Sequence, residues 1–183
     1  MLGLTTLGIV HTAISLVAVA AGLIAFIRDK EITSRNGLGK LYIWTTVLTC
    51  LTGFPIMQHG GFGKPHALGL ITLMVLAAAA LAGQGKLFGR VSRYVEPVGY
   101  SATFFFHMIP AFTETATRLP VGAPVAASPE APGLQAAVGA AFVVFLIGAT
   151  LQVRRLRARS RGESARPVGT GVSPAISGES PRG

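Results

Sequence analysis

Five apolar runs separated by short polar links set the pattern of this chain. The first, Leu4 to Ile27, is interrupted only by Thr5, Thr6, His11, Thr12 and Ser15. At about 1.5 Å per residue it is long enough to cross a hydrocarbon layer about 30 Å thick. Its first cation, Arg28, follows the run instead of preceding it, so the segment reads as a retained spanning helix rather than a signal peptide. A polar link, RDKEITSRNGLGK, leads to a second span over 41–57, with Tyr42 and Trp44 at its start, where interfacial aromatics commonly sit. Along it Thr45, Thr49 and Gly53 recur every four residues, a stripe of small side chains suited to close helix packing.

The Gly/Pro turn QHGGFGKPH introduces a third span, 67–83, and a second cationic link precedes the fourth, 97–117. Pro97 is acceptable in the first turn of that helix. Residues 119–133 are rich in Pro, Ala and Gly without an apolar period and read as a loop; 134–153 form a fifth span. Residues 154–183 turn to arginine and then to Gly, Ser and Pro, a composition expected to stay disordered as a basic cytoplasmic tail. The expected fold is therefore all-α: an integral membrane helical bundle of five transmembrane helices in residues 1–153, the first span taken as about 4–27, with the fifth helix peripheral.

Composition supports the membrane reading and narrows the rest. Half of the 183 residues are hydrophobic and 13% are charged, against about 25% in an ordinary soluble domain. The net charge of +9 lies between the apolar runs and in the tail instead of on a soluble face, which argues against nucleic acid. With the N-terminus outside, the inner segments hold 14 of the 16 cations and the outer ones only Lys64 and Arg118. The positive-inside rule then puts the C-terminus in the cytoplasm, the localisation expected being a cell membrane of bacterial inner-membrane type. The expected partners are the bilayer itself, anionic lipid at the C-terminal tail, and a further membrane protein. The single cysteine, Cys50, excludes an intrachain disulfide and a thiolate metal cluster.

Ionisable groups inside apolar spans carry the functional question, because each is costly there. With this topology all four histidines fall in the outer half: His11 and His107 within spans, His59 and His66 at the turn between spans two and three. On the fourth helix Thr103, His107, Ala111, Glu114 and Arg118 share a side, and Pro110 frees a carbonyl one turn back. Three chemistries fit. A b-type haem would take His11 and His107 as axial ligands, with Arg118, Lys64 or His66 near its propionates. A copper or zinc ion would draw on His11, His107, His66 and Glu114, with Met57 and Met108 as soft auxiliaries. A proton relay would use His107 with Glu114 and Arg118. The plain alternative is that His11 and His107 each only hydrogen-bond a neighbouring helix while His59 and His66 are surface residues of the turn, in a non-enzymatic bundle that serves as a subunit or assembly factor of a larger complex. No phosphate loop follows Gly60, Gly61 and Gly63, and no serine nucleophile has a base at a supporting spacing, so no enzymatic activity is assigned.

The histidine and glycine of the first helix, here His11 and Gly22, and the Gly39 and Tyr42 of RNGLGKLYIW resemble a family of small predicted membrane proteins of unknown function widespread in bacteria. That family begins its second helix with His-Arg-x-x-Gly-x-x-Tyr. Arg35 stands here where the histidine would be, so no role of that histidine is carried over. The resemblance covers about residues 8 to 112 and implies an integral membrane bundle without an established activity. Di-haem cytochrome bundles are also similar in outline, but they carry a histidine pair near each leaflet, and the inner pair is missing here.

Overall fold

Every regular element is helical in the computed structural model, which describes residues 5–56, 63–85 and 88–164. Five α-helices follow one another: α1 (Thr6–Arg28), α2 (Gly37–Gly53), α3 (Lys64–Gly83), α4 (Ser92–Arg118) and α5 (Pro132–Ser164), with a short 3-10 turn at Gly89–Val91 before α4. Successive helices run antiparallel. α1 packs along α2 and α3 along α4; α2 meets α3 less extensively, and α1 and α4 touch over a short stretch that closes a four-helix ring. α5 lies outside the ring against α4.

Side-chain size explains these contacts. The buried positions of α1 are Gly8, Ala18, Ala21, Gly22 and Ala25, so its backbone can approach α2 closely. A Cβ on Gly22 would meet the Phe104 ring, which occupies the space the glycine leaves. Phe104 packs edge-on against Phe26 at 5.1 Å and beside Tyr42 at 6.4 Å. The link between α1 and α2 is tied by Arg28, whose guanidinium grips Asp29 through two 2.8 Å bonds, while Asn36 donates to the same carboxylate at 2.9 Å and caps α2 through Gly39 N–H. The Arg28 guanidinium holds the Asp29 carboxyl below the usual carboxylate range.

Polarity is inverted relative to a soluble bundle. Large apolar side chains such as Leu16, Ile27, Trp44, Met74, Val144 and Leu151 stand exposed on the outside. Thr46, Thr49, Thr103, His107, Ser101 and Glu96 are buried within. Water would penalise such an exterior, and lipid would not. Three helices are long and apolar enough to cross a membrane: α1, α3 and residues Pro132–Arg161 of α5. Five were expected. α2, at 17 residues, is short, and α4 carries its polar residues on the side it turns to its neighbours, which lowers its hydropathy.

Two boundaries also differ from expectation. α4 starts at Ser92, five residues before Pro97, because residues 92–96 wrap against the end of α3 and bury Ser92 and Glu96. Pro97 thus lies inside the helix and leaves the Arg93 carbonyl without its usual donor. α5 continues past Val153 to Ser164 instead of giving way to a disordered tail at Arg154. Tyr94 holds it there, its ring lying 5.2 Å from the Arg93 guanidinium and 6.0 Å from that of Arg157. Residues 165–183 of the expected tail lie outside the described residues.

Candidate functional site

The helix termini divide the bundle into a histidine end, where α1, α3 and α5 begin, and an arginine end, where α2 and α4 begin. At the histidine end the three described imidazoles, those of His11, His66 and His107, are each seated on a protein partner. His11 Nδ1 lies 3.1 Å from Thr52 Oγ1. That hydroxyl already donates to the Leu48 carbonyl at 2.7 Å, so it accepts here, and His11 carries its proton on Nδ1. Gly53 makes room: a Cβ there would come within 3.1 Å of His11 Cε1. His107, 7% exposed, places Nε2 3.1 Å from Thr46 Oγ1 and its ring edge-on to Tyr42 at 6.2 Å. Thr46 and Thr52 are six residues apart, so the two imidazoles are anchored to hydroxyls about 9 Å apart along the α2 axis.

His66 works differently. Its Nδ1 accepts from Gly63 N–H at 3.2 Å, capping α3, and its Nε2–H donates to the Phe54 carbonyl at 3.1 Å, with the Phe54 ring stacked 6.4 Å away. Both ring nitrogens are thereby engaged in joining α3 to the end of α2. Glu114 pairs with Arg118 one turn on, and Lys64 lies 3.6 Å from Glu130. Among the described residues no three histidine, cysteine or acidic side chains gather as a metal-ligand group. Met57, a soft auxiliary of the expected metal site, and His59 of the same turn lie outside the described residues.

From His107 the polar contacts continue inward. Tyr42, fully buried, has its hydroxyl 2.8 Å from Thr103 Oγ1 and within reach of Thr46. Thr103 in turn donates to the Tyr100 carbonyl at 2.9 Å. One turn along α4, Tyr100 is itself fully buried; its hydroxyl finds no partner in hydrogen-bonding geometry and stands beside Ser34.

Glu96 completes this series, a residue that sequence reasoning places in the polar link before α4. The carboxylate is 4% exposed. Oε1 accepts from Ser34 Oγ at 3.0 Å and from Thr33 Oγ1 at 3.4 Å, and Oε2 accepts from Arg35 at 2.9 Å. Burial of a charge is sustainable only with such partners. α3 contributes by absence: a Cβ on Gly83 would sit 2.6 Å from Oε1. The link between α1 and α2, the end of α3 and the start of α4 thus converge on one carboxylate. Its neighbours in sequence, Arg90 and Arg93 before it and Pro97 after it, gave it the look of a solvated helix end.

The polar groups therefore form a series on successive turns of the bundle. Half-buried His11 meets Thr52 at one end of α2; two turns along, Thr46 meets His107 and the Tyr42 hydroxyl, which meets Thr103; on the next turn of α4 the Tyr100 hydroxyl stands beside Ser34, which donates to Glu96, itself held by the exposed Arg35. Hydroxyls both donate and accept, and a neutral imidazole does so through its two nitrogens, so the series is suited to passing protons. In comparisons with known proteins, no family model matches the chain, and no curated protein or solved structure matches it.

Proposed function

We propose that the chain is a small integral membrane protein of five transmembrane helices, histidine end outward and arginine end cytoplasmic, in a bacterial-type cell membrane, whose polar interior relays protons between the two ends. Excess cation at the arginine end supports the orientation. α2 spans as a short helix and α4 as one shielded from lipid by its neighbours. At each step one O–H or N–H bond breaks as the next forms, and no substrate is converted.

The observation that carries the proposal is the series of polar side chains from half-buried His11 to buried Glu96, placed along the interior of a bundle with an apolar exterior. Ionisable groups inside membrane spans are costly, and proton relays are among the roles that retain them. His107 and Glu96 are its buried ionisable groups, with Thr46, Tyr42, Thr103, Tyr100 and Ser34 between them.

Vesicles containing the purified protein and a trapped pH-sensitive dye test this. Under an imposed potassium diffusion potential, the wild type should acidify or alkalinise the lumen at least tenfold faster than protein-free vesicles. Glu96→Gln and His107→Ala should each remove most of that rate. Wild-type vesicles no faster than empty ones would overturn the relay and leave the competing reading, a non-enzymatic bundle that packs within a larger membrane complex. That reading is favoured by the same threonine and tyrosine bonds, which also hold helices together. A b-type haem or metal ion held by His11 and His107 would draw both rings off their threonines. A visible band in the purified protein, lost in His11→Ala and in His107→Ala, would support it.

A further inference from the structure

At the arginine end the series opens into a cleft beyond Glu96. This open cavity is about 390 Å³ in volume, and Arg35, Arg90, Ser92 and Arg93 line it together with Glu96. Three guanidinium groups face one carboxylate, which leaves an excess of two positive charges. The carboxylate is committed to Thr33, Ser34 and Arg35, and so fixes Arg35 at the cavity wall without neutralising the other two. Among the described residues neither Arg90 nor Arg93 forms an ion pair. Gly83 and Gly85 add no side chains to fill the space.

Apolar side chains border the lining residues in the chain: Leu81, Phe88 and Val91 each adjoin one and are exposed, Phe88 by 47%. A free anion would gain nothing from such a border, whereas an anion joined to hydrocarbon would bring its chains to it. Arginine forks match the geometry of phosphate oxygens, and basic pockets between helices at the cytoplasmic boundary suit anionic headgroups.

We propose that this cavity binds a phosphate-bearing anion, the apolar border favouring the headgroup of an anionic phospholipid over free phosphate. The site is distinct from the arginine-rich end of α5, where Arg154, Arg157 and Arg161 line a separate shallow cleft. It depends on the membrane placement and not on the proton relay.

Native mass spectrometry of the full chain, released from detergent with added phosphatidylglycerol or phosphatidylcholine, tests the proposal. The wild type should retain phosphatidylglycerol over phosphatidylcholine by at least tenfold. The double variant Arg90→Gln, Arg93→Gln should lose that preference, while Arg155→Gln with Arg159→Gln, an equal loss of charge on α5, should keep it. Equal melting temperatures for the two double variants would show that folding is unaffected. Millimolar inorganic phosphate that displaces the lipid would show that the phosphate group alone suffices; preference that survives phosphate would assign the site to the lipid. No preference in the wild type, or equal loss in both double variants, would overturn it by reducing the effect to diffuse surface charge.

Discussion

Gly39 and Tyr42 show what single residues contribute at the approach to α2. A Cβ on Gly39 would overlap the backbone carbonyl of Thr33, which cannot swing aside as a side chain would. Three residues on, Tyr42 is buried with its hydroxyl on Thr103 of α4. The glycine thus lets the link fold back against α2, and the tyrosine ties that helix across the core. Gly37, two residues earlier, would meet nothing within 4 Å. Gly39→Ala should therefore destabilise the protein by about 2–3 kcal/mol, as overpacking against backbone does, and Gly37→Ala should change it by less than about 0.5 kcal/mol. Thermal melting in mild detergent checks both; equal melting points for the two variants would refute the close approach. These two residues were singled out in the sequence by their resemblance to a family's entry to its second helix, while Tyr42, read there also as an interfacial aromatic, is fully buried. Glu96 was not, since its burial depends on Ser34, Arg35 and Gly83, which only the fold brings together.

Among the elements, α5 was placed by its hydrophobicity alone, yet its attachment to α4 is specific. Phe105 of α4 stacks on Phe145 at 5.7 Å and tilts against Phe142 at 5.4 Å. Nearer the arginine end, Gln152 accepts from Ser101 at 3.0 Å and donates to the Lys30 carbonyl at 3.2 Å, so one amide joins α5 both to α4 and to the link after α1. Removing it loses both bonds, although Ser101 keeps the Pro97 carbonyl at 2.8 Å, at a cost of about 1–3 kcal/mol for the pair. Gln152→Ala should loosen the arginine-end half of α5 while leaving the four-helix ring intact. Hydrogen exchange would then rise at residues 150–160 and stay unchanged in α2; unchanged exchange in α5 would refute the role of the amide. The start of α4 was misjudged for a related reason. Proline is a good helix starter, so Pro97 reads as the first turn, but the burial of Glu96 is worth extending the helix backwards through it. Threonine faces were similarly half-legible: the four-residue spacing of Thr45, Thr49 and Gly53 is plain in the sequence, whereas the histidines use Thr46 and Thr52.

For the whole molecule, the arrangement of charge and polarity leads to one placement. The exterior is apolar around the middle of the bundle, the interior is polar, and the cations gather where α2 and α4 begin. A bundle of this kind in water would expose its hydrocarbon side chains and bury the groups that water solvates best; in a bilayer both preferences reverse. Among the described residues every lysine and arginine except Lys64 and Arg118 lies at the arginine end, so under the proposed topology that side faces the cytoplasm. Cys50 is the only native cysteine and is buried, which leaves a quiet background for labelling. Ala127, in the loop after α4, and Gln84, in the link after α3, are both exposed and lie at opposite ends. In intact cells a membrane-impermeant maleimide should label Ala127→Cys and spare Gln84→Cys until the membrane is opened. The reverse pattern would invert the orientation, moving the arginine cavity to the outer leaflet and the histidines to the inner one, while labelling of both in intact cells would show that the bundle does not separate two compartments and would remove the basis for a proton relay.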